Sequence, residues 1–294
     1  MEKYSIFHIE GGLGKHITAT AVAKCIKNNH PDRKLIVVCA YPEIFLNLNY
    51  VDRVYRIGAT PYFYQDYIEG KGSLIFKHEP YFTSEHINQE LPLVQNWCKL
   101  YGLEYSGELP ELIFNVRQQQ FALRKWQRDR PILIMQTNGG PLNDQPYPYS
   151  WTRDMPWNLA QTIVHAFSRD YHILQVCRKP EQVLPGVEGV IEPMSNMEFL
   201  SMLLLSQKRV LIDSSMQHAA QALNLPSTVL WVGTSPKIFG WDLHNNLSAK
   251  LPDSVKLPDS YLFDYNFHGA LHECPLLDLN IFDESEVLNS INQI

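Results

Sequence analysis

Leu35-Ile36-Val37-Val38-Cys39 is apolar without a break, and a run this short and this continuous marks a strand covered on both faces. Such a strand needs helices above and below it, which restricts the chain to layered α/β architectures. The flanking sequence supplies them. Ser5 to Ile9 reads as a short buried strand that runs straight into Glu10-Gly11-Gly12-Leu13-Gly14. Beyond that loop, Ile17, Ala21, Val22, Cys25 and Ile26 recur at helical spacing through Lys27. Asn28-Asn29-His30-Pro31 ends the helix, because proline cannot continue it. Pro42 to Leu48 predicts a further helix, and Asp52 to Ile57 another strand. This alternation is that of a parallel sheet with right-handed crossovers.

The stretch from Thr60 to Tyr81 is aromatic-rich and predicts irregular chain, with Gly70-Lys71-Gly72 as a turn. Its aromatics suit either an acceptor-facing wall or packing beneath a long loop. Helical spacing returns over Leu91 to Tyr101 and Gln118 to Trp126, and Arg128-Asp129-Arg130-Pro131 marks a polar junction. The second half then repeats the grammar of the first. Strands are expected at Ile132 to Gln136, His172 to Cys177, Val210 to Ile212 and Thr228 to Val232. Helices are expected at Asn158 to Phe167, Asn196 to Leu205, Met216 to Leu223 and Asp283 to Ile294. Ser195 with Glu198 three residues on is a capping-box pattern. Strand Ile132 to Gln136 empties into Thr137-Asn138-Gly139-Gly140, a second glycine loop. The expected organisation is two Rossmann-like domains, residues 1–129 and 130–294, facing each other across a cleft, with ligand at the carboxyl ends of the strands.

Composition narrows the partners. A net charge of -6 argues against nucleic acid as the main ligand, since phosphate backbones recruit basic surfaces. No stretch reaches the roughly 20 apolar residues that span a bilayer; peripheral membrane contact stays open. The opening Met1-Glu2-Lys3-Tyr4 has no basic region followed by an apolar run, so no secretory signal is expected. The five cysteines are scattered without a C-x-x-C pair, as suits reduced thiols in a cytoplasmic protein. His268-Gly269-Ala270-Leu271-His272-Glu273-Cys274 holds potential metal ligands, but without a second ligand pair it reads as a surface turn, and no metal is expected.

The glycine loops suit an anion, because backbone N–H groups can approach it closely at a helix N-terminus. Neither sharper motif fits. A P-loop needs glycine five before Gly14, where Ile9 stands, and Ser or Thr after Lys15, where His16 stands. A dinucleotide fingerprint beginning at Gly12 meets Ile17 at its third glycine, and the next strand ends at Cys39-Ala40 without an acidic residue.

Longer blocks carry more. Gly11-Gly12-Leu13-Gly14-Lys15-His16-Ile17, His30-Pro31-Asp32, the strand Leu35 to Cys39 and Asn49-Tyr50-Val51-Asp52-Arg53-Val54 resemble the opening of glycosyltransferase family 9, the ADP-heptose:lipopolysaccharide heptosyltransferases and their relatives. Val210-Leu211-Ile212-Asp213-Ser214-Ser215-Met216-Gln217-His218-Ala219-Ala220, then Ala222 to Pro226 and Thr228 to Pro236, resemble that family's second block in order and spacing. The resemblance implies an α/β chain of GT-B fold, an inverting transfer from a nucleotide-diphosphate sugar as co-substrate, no separate cofactor, and a glycan or other small molecule as acceptor.

By position, the resemblance puts Asp213, Ser214, Ser215 and His218 around the donor's diphosphate and sugar. The residues suit that role: two hydroxyls stand where a helix dipole favours phosphate, and His218 returns one turn later to the same face. The plainer alternative is that Asp213 or Ser214 only caps the helix and His218 is a core histidine. Trp151-Thr152-Arg153-Asp154-Met155-Pro156 matches the family's basic segment, with Arg153 placed for the donor phosphates. Its planar fork suits phosphate. Gly12, Gly14, Thr137, Asn138, Gly139 and Gly140 are expected on the same cleft, with Thr234 or Ser235 closing it, and Glu192 and Met194 as base or ribose contacts.

The chain departs from the family at Lys15, where the family has the aspartate that deprotonates the acceptor. An ammonium is protonated at neutral pH and cannot serve as that base. Lys15 then clamps a phosphate or acidic acceptor, or Glu10 or His16 has taken over as base, or transfer has been lost. The expected function is a metal-independent glycosyltransferase. The alternatives are a catalytically silent nucleotide-sugar binding protein and a sugar epimerase of the same architecture.

Overall fold

The computed structural model describes residues 1–139, 152–252, 276 and 278–294. The first half runs β1 (Lys3–Ile9), α1 (Leu13–Asn29), β2 (Lys34–Cys39), β3 (Arg53–Arg56), α2 (Phe63–Tyr67), β4 (Gly72–Phe76), α3 (Ser84–Ile87), α4 (Leu93–Leu100) and α5 (Val116–Trp126). The second runs β5 (Ile132–Gln136), α6 (Trp157–Phe167), β6 (His172–Val176), β7 (Glu188–Val190), α7 (Asn196–Leu200), β8 (Ser206–Ile212), α8 (Ser215–Ala222), β9 (Thr228–Trp231), α9 (Pro236–Phe239), β10 (Asn245–Ser248) and α10 (Glu284–Gln293). No described helix is long and apolar enough to cross a membrane.

The strands form two separate parallel sheets, ordered β3-β2-β1-β4 and β10-β9-β8-β5-β6-β7. Ile6 pairs with Ile36 in the first sheet, and Ile134 with Leu174 in the second. The central strands are buried along almost their whole length, as unbroken apolar runs require.

Several expectations are corrected. Pro42 to Leu48 is not a helix; only Pro42–Ile44 makes a single 3₁₀ turn. The Thr60 to Tyr81 stretch holds a helix, α2, and a strand, β4, which sits at the sheet edge and is only half covered, so its sequence lacks the continuous apolar signature. The helix expected at Asn196 to Leu205 tightens to 3₁₀ geometry from Ser201 onward. Ser195 caps its start as the sequence implies, accepting from the Glu198 amide while the Glu198 carboxylate reaches back to the Ser195 N–H at 2.9 Å. At the chain's last helix, buried Lys208 donates to the carbonyls of Ile291 and Ile294, both at 2.8 Å. It thereby satisfies acceptors that a helix C-terminus leaves open.

The two halves meet along helices α1 and α8. Helix α1 is buried on nearly all sides, which a helix with an ordinary polar face could not tolerate. Its run Thr18-Ala19-Thr20-Ala21 keeps the surface low, so that α8, with Met216, Ala219 and Ala220 fully buried, packs closely against it. One apolar cluster runs from Phe7 and Ile17 through to these α8 residues and to Trp231. Helix α5 adds a second tie, its Trp126 indole N–H donating to the Glu198 carbonyl across 3.3 Å.

Gly14 sits at the tightest point of this seam. A Cβ there would lie 3.1 Å from the His218 ring and 3.2 Å from the Ser215 Cα. The second of these is backbone and cannot rotate away. Gly14→Val should therefore wedge the halves apart, at a cost of about 1–3 kcal/mol typical of overpacking. The expected outcome in thermal unfolding is a Tm lower by roughly 2–10 °C. A Tm equal to that of the unmodified protein would show that the seam gives way freely.

Candidate active site

Residues that directly follow β1, β5, β6, β7 and β8 line one cavity of about 960 Å³ between the halves. That is large enough for a ligand of nucleotide-sugar size. Gly12, Gly14, Lys15, Asn138, Arg153, Glu192, Met194, Asp213, Ser214, Ser215 and His218 all line it. The glycines of the first loop have different tasks. Gly11 has φ +99, a conformation that disfavours any side chain. At Gly12 an added Cβ would meet nothing within 4 Å, so its bareness leaves open space in the cavity rather than serving packing.

The start of α8 carries no side-chain cap. Ser214 occupies the N-cap position but makes no capping hydrogen bond. The plainer reading of Ser214 as a cap therefore does not describe this helix. The Asp213 carboxylate lies 3.9 Å from the Nε of Arg153, and Arg153 is half exposed. The first-turn amides and the positive end of the helix dipole thus open onto the cavity. His218 is buried, and burial pushes its ring down to about 4, so the imidazole is neutral at pH 7. The Trp241 indole N–H donates to its Nδ1 at 3.0 Å, which leaves the ring hydrogen on Nε2 as a neutral donor.

Other expected residues fall elsewhere. His16 does not line the cavity. Its ring is fully buried, with Nδ1 2.9 Å from the Gly12 carbonyl and Nε2 3.1 Å from the Ala40 amide, an arrangement in which Nδ1–H donates and Nε2 accepts. Burial also lowers its pKa. With both nitrogens committed to backbone, the ring braces the glycine loop against the end of β2 and has no lone pair free for a substrate proton. Glu10 is exposed and borders a neighbouring pocket of about 450 Å³ with Arg56 and Ile57 instead. Thr137 and Gly139 stand behind the cavity wall. The Thr137 hydroxyl is engaged with Asn138 at 2.9 Å and accepts from Gln175 at 3.0 Å. Gly140, Trp151 and the His268 to Cys274 stretch lie outside the described residues. Among the described residues no group of three or more His, Cys, Asp and Glu side chains is gathered as a metal ion requires.

The wall behind the second glycine loop is held by a pair that the sequence reading missed. Arg178, two residues past β6, is 3% exposed and pairs with the fully buried Asp154. The same guanidinium donates to the Gly139 carbonyl, while Asp154 accepts from the Gly139 backbone N–H at 3.2 Å and the Asn138 side-chain amide at 2.9 Å. A residue just past a parallel strand is where cleft side chains are found, and that position was the available signal. Lys15 is placed differently from a free phosphate clamp. Its ammonium pairs with Glu79 and lies 5.1 Å from the Tyr81 ring and 5.4 Å from the Trp97 ring.

No family model matches the sequence, and no curated protein matches it. The fold is the GT-B arrangement of family 9 glycosyltransferases. A glycosyltransferase family 9 structure from Veillonella parvula superposes with a TM-score of 0.70 at 12% identity, over 99% of this chain and 96% of that one. The iron-containing dodecameric heptosyltransferase TibC of enterotoxigenic E. coli, solved with ADP-D-β-D-heptose, gives 0.69 at 13% identity over 100% and 77%. E. coli heptosyltransferase WaaC with ADP gives 0.60 at 12% identity, over 99% of each chain.

Two outcomes follow from the site's electrostatics. His86, His218 and His244 are each pushed by burial from an ordinary 6.5 down to about 4. The unfolded chain therefore binds more protons than the folded one between these values. The stability these rings contribute is complete above about 6.5 and is lost as pH falls towards 4, by up to roughly 3 kcal/mol each. Tm should fall steeply between pH 6.5 and 4.5, and His244→Gln should flatten that slope; an unchanged slope would contradict the assignment. Arg178→Ala removes the guanidinium that faces the fully buried Asp154 carboxylate, and chemical denaturation should report a loss of about 3–5 kcal/mol.

Proposed function

We propose that this protein is an inverting glycosyltransferase that moves a sugar from a nucleotide-diphosphate donor to the hydroxyl of a small or glycan acceptor. The observation that carries the reading is the uncapped start of α8, where Ser214 and Ser215 border a cavity of about 960 Å³ beside Arg153. Helix amides, two hydroxyls and a fork-shaped cation form a cradle for a diphosphate. The donor's nucleoside then extends past the ends of β5, β6 and β7 towards Glu192 and Met194. The acceptor enters from the wall built by the first glycine loop.

In this reaction the acceptor oxygen attacks the anomeric carbon as the bond to the diphosphate breaks. The developing charge on the leaving group is met by the α8 amides and Arg153, with neutral His218 as a further donor. Those groups supply the role that a divalent ion plays elsewhere, so turnover is expected to persist in EDTA. The solved neighbours named above with ADP-heptose or ADP make an adenine nucleotide the first donor to try.

Calorimetry with a panel of ADP-, GDP- and UDP-sugars tests the reading. One donor class should bind, Arg153→Ala should weaken it about 10–100-fold, as for loss of a charged hydrogen bond, and Ser214→Ala/Ser215→Ala about 10-fold. Neither variant should lower Tm appreciably, because no cap is lost. Absence of binding across the panel would sink the proposal, and binding without turnover to any acceptor or to water would reduce the protein to a nucleotide-sugar binder.

A further inference from the structure

A donor gripped only by its diphosphate would leave its sugar loose, and one side chain on the wall opposite the cradle is placed to hold it. We propose that the Tyr81 hydroxyl binds the donor's sugar and thereby sets which sugars the site accepts. The inference rests on the transferase reading above and deepens it.

The polar side chains that the N-terminal half gives to the cavity are Lys15, Thr18, Tyr41 and Tyr81. The Lys15 ammonium is paired with Glu79. The Thr18 hydroxyl is sealed from solvent in a residue only 1% exposed. Tyr41 packs its ring on His16 at 4.9 Å and directly precedes the turn Pro42–Ile44. Glu43 of that turn accepts from Asn196 of α7 at 2.8 Å, and Asn196 lines the cavity beside Glu192 and Met194. Tyr41 therefore stands towards the end that the nucleoside takes.

Tyr81 lies towards the other end. The His86 ring joins it to the second half, packing on Tyr81 at 5.0 Å and on Phe239 at 5.8 Å, and Phe239 lines the cavity. The charges that act on its phenol from the opposite half are those of Asp213 and Arg153, beside the proposed diphosphate cradle. The sugar is joined to the diphosphate on the side away from the nucleoside, so it comes to rest next to Tyr81. The Lys15 ammonium, 5.1 Å from the ring centroid, steadies the ring. The hydroxyl makes no hydrogen bond to a described residue and is not sealed in the interior. Burial of the ring pushes the phenol above its ordinary value, so it stays protonated at neutral pH and can both donate and accept. Adjacent hydroxyls of a sugar offer a partner for each.

The test is calorimetry on the full chain with the ADP-, GDP- and UDP-sugar panel and with the matching free nucleoside diphosphates. It compares wild type, Tyr81→Phe and the double variant Ser214→Ala/Ser215→Ala. Tyr81→Phe keeps the ring and its packing and removes only the hydroxyl, so its Tm should match that of wild type. Its affinity for the nucleotide-sugar should fall about 3–10-fold, as for one neutral hydrogen bond, with affinity for the free diphosphate within about twofold of wild type. The spread of affinities among sugars carried on one nucleotide should narrow as well, which a merely structural role would not produce. The double serine variant should instead weaken both ligands together. A Tyr81→Phe chain that binds the nucleotide-sugar as wild type does, or that loses sugar and free diphosphate alike, overturns the inference alone. A wild type that binds no member of the panel overturns the transferase reading, and this inference with it.

Discussion

The close approach of α1 and α8 is the contact on which the rest of the molecule depends. Two parallel sheets of this kind have no strand in common, so the relation between them must come from elsewhere. Small residues on both helices and a bare Gly14 let the α1 backbone approach the Ser215 backbone and the His218 ring closely. The same contact brings the first glycine loop to the start of α8, so that both line one cavity. Packing and site geometry are therefore one constraint seen from two sides. A larger residue at Gly14 would affect both.

Buried polar groups give that cavity its rigidity. His16 pins the glycine loop to the end of β2 through backbone partners on both ring nitrogens. Arg178 and Asp154 do the same for the second loop, gripping the Gly139 carbonyl and amide at once. Side chains fixed in this way do not need to touch a ligand to matter. They keep the backbone that borders the cavity from relaxing, and a site preorganised in this way needs little rearrangement when it meets charge.

Much of this was legible in the sequence, and for identifiable reasons. Strands such as β2 and β5 announce themselves because burial on both faces demands unbroken apolar runs. The edge strand β4 does not, because only part of it is covered. The cavity lining around Asp213 to His218 was readable from a block whose order and spacing are specific. Thr137 and Gly139 were expected on the cavity with the rest of the second glycine loop, but both are buried and neither lines it. Arg178, Asp154 and Glu79 were not readable, since each acquires its role from a partner 24 or 64 residues away. Pairings of that range are made by the fold and leave no local pattern.

The charges around the cavity also set the range over which the protein can sense a ligand. Among the described residues, Lys15 is matched by Glu79, Arg178 by Asp154, and Lys125 by Glu192, while Arg153 stands more loosely beside its carboxylate. Matched pairs cancel one another's field within a few ångströms, and the chain as a whole is acidic. Among the described residues, an anion entering the cavity meets its attraction close in, at the uncapped start of α8 and at half-exposed Arg153. Its capture depends on short-range hydrogen bonds formed after desolvation. Selectivity in such a cleft is exercised at the moment of contact, by shape and by the exchange of Arg153 from one anion to another.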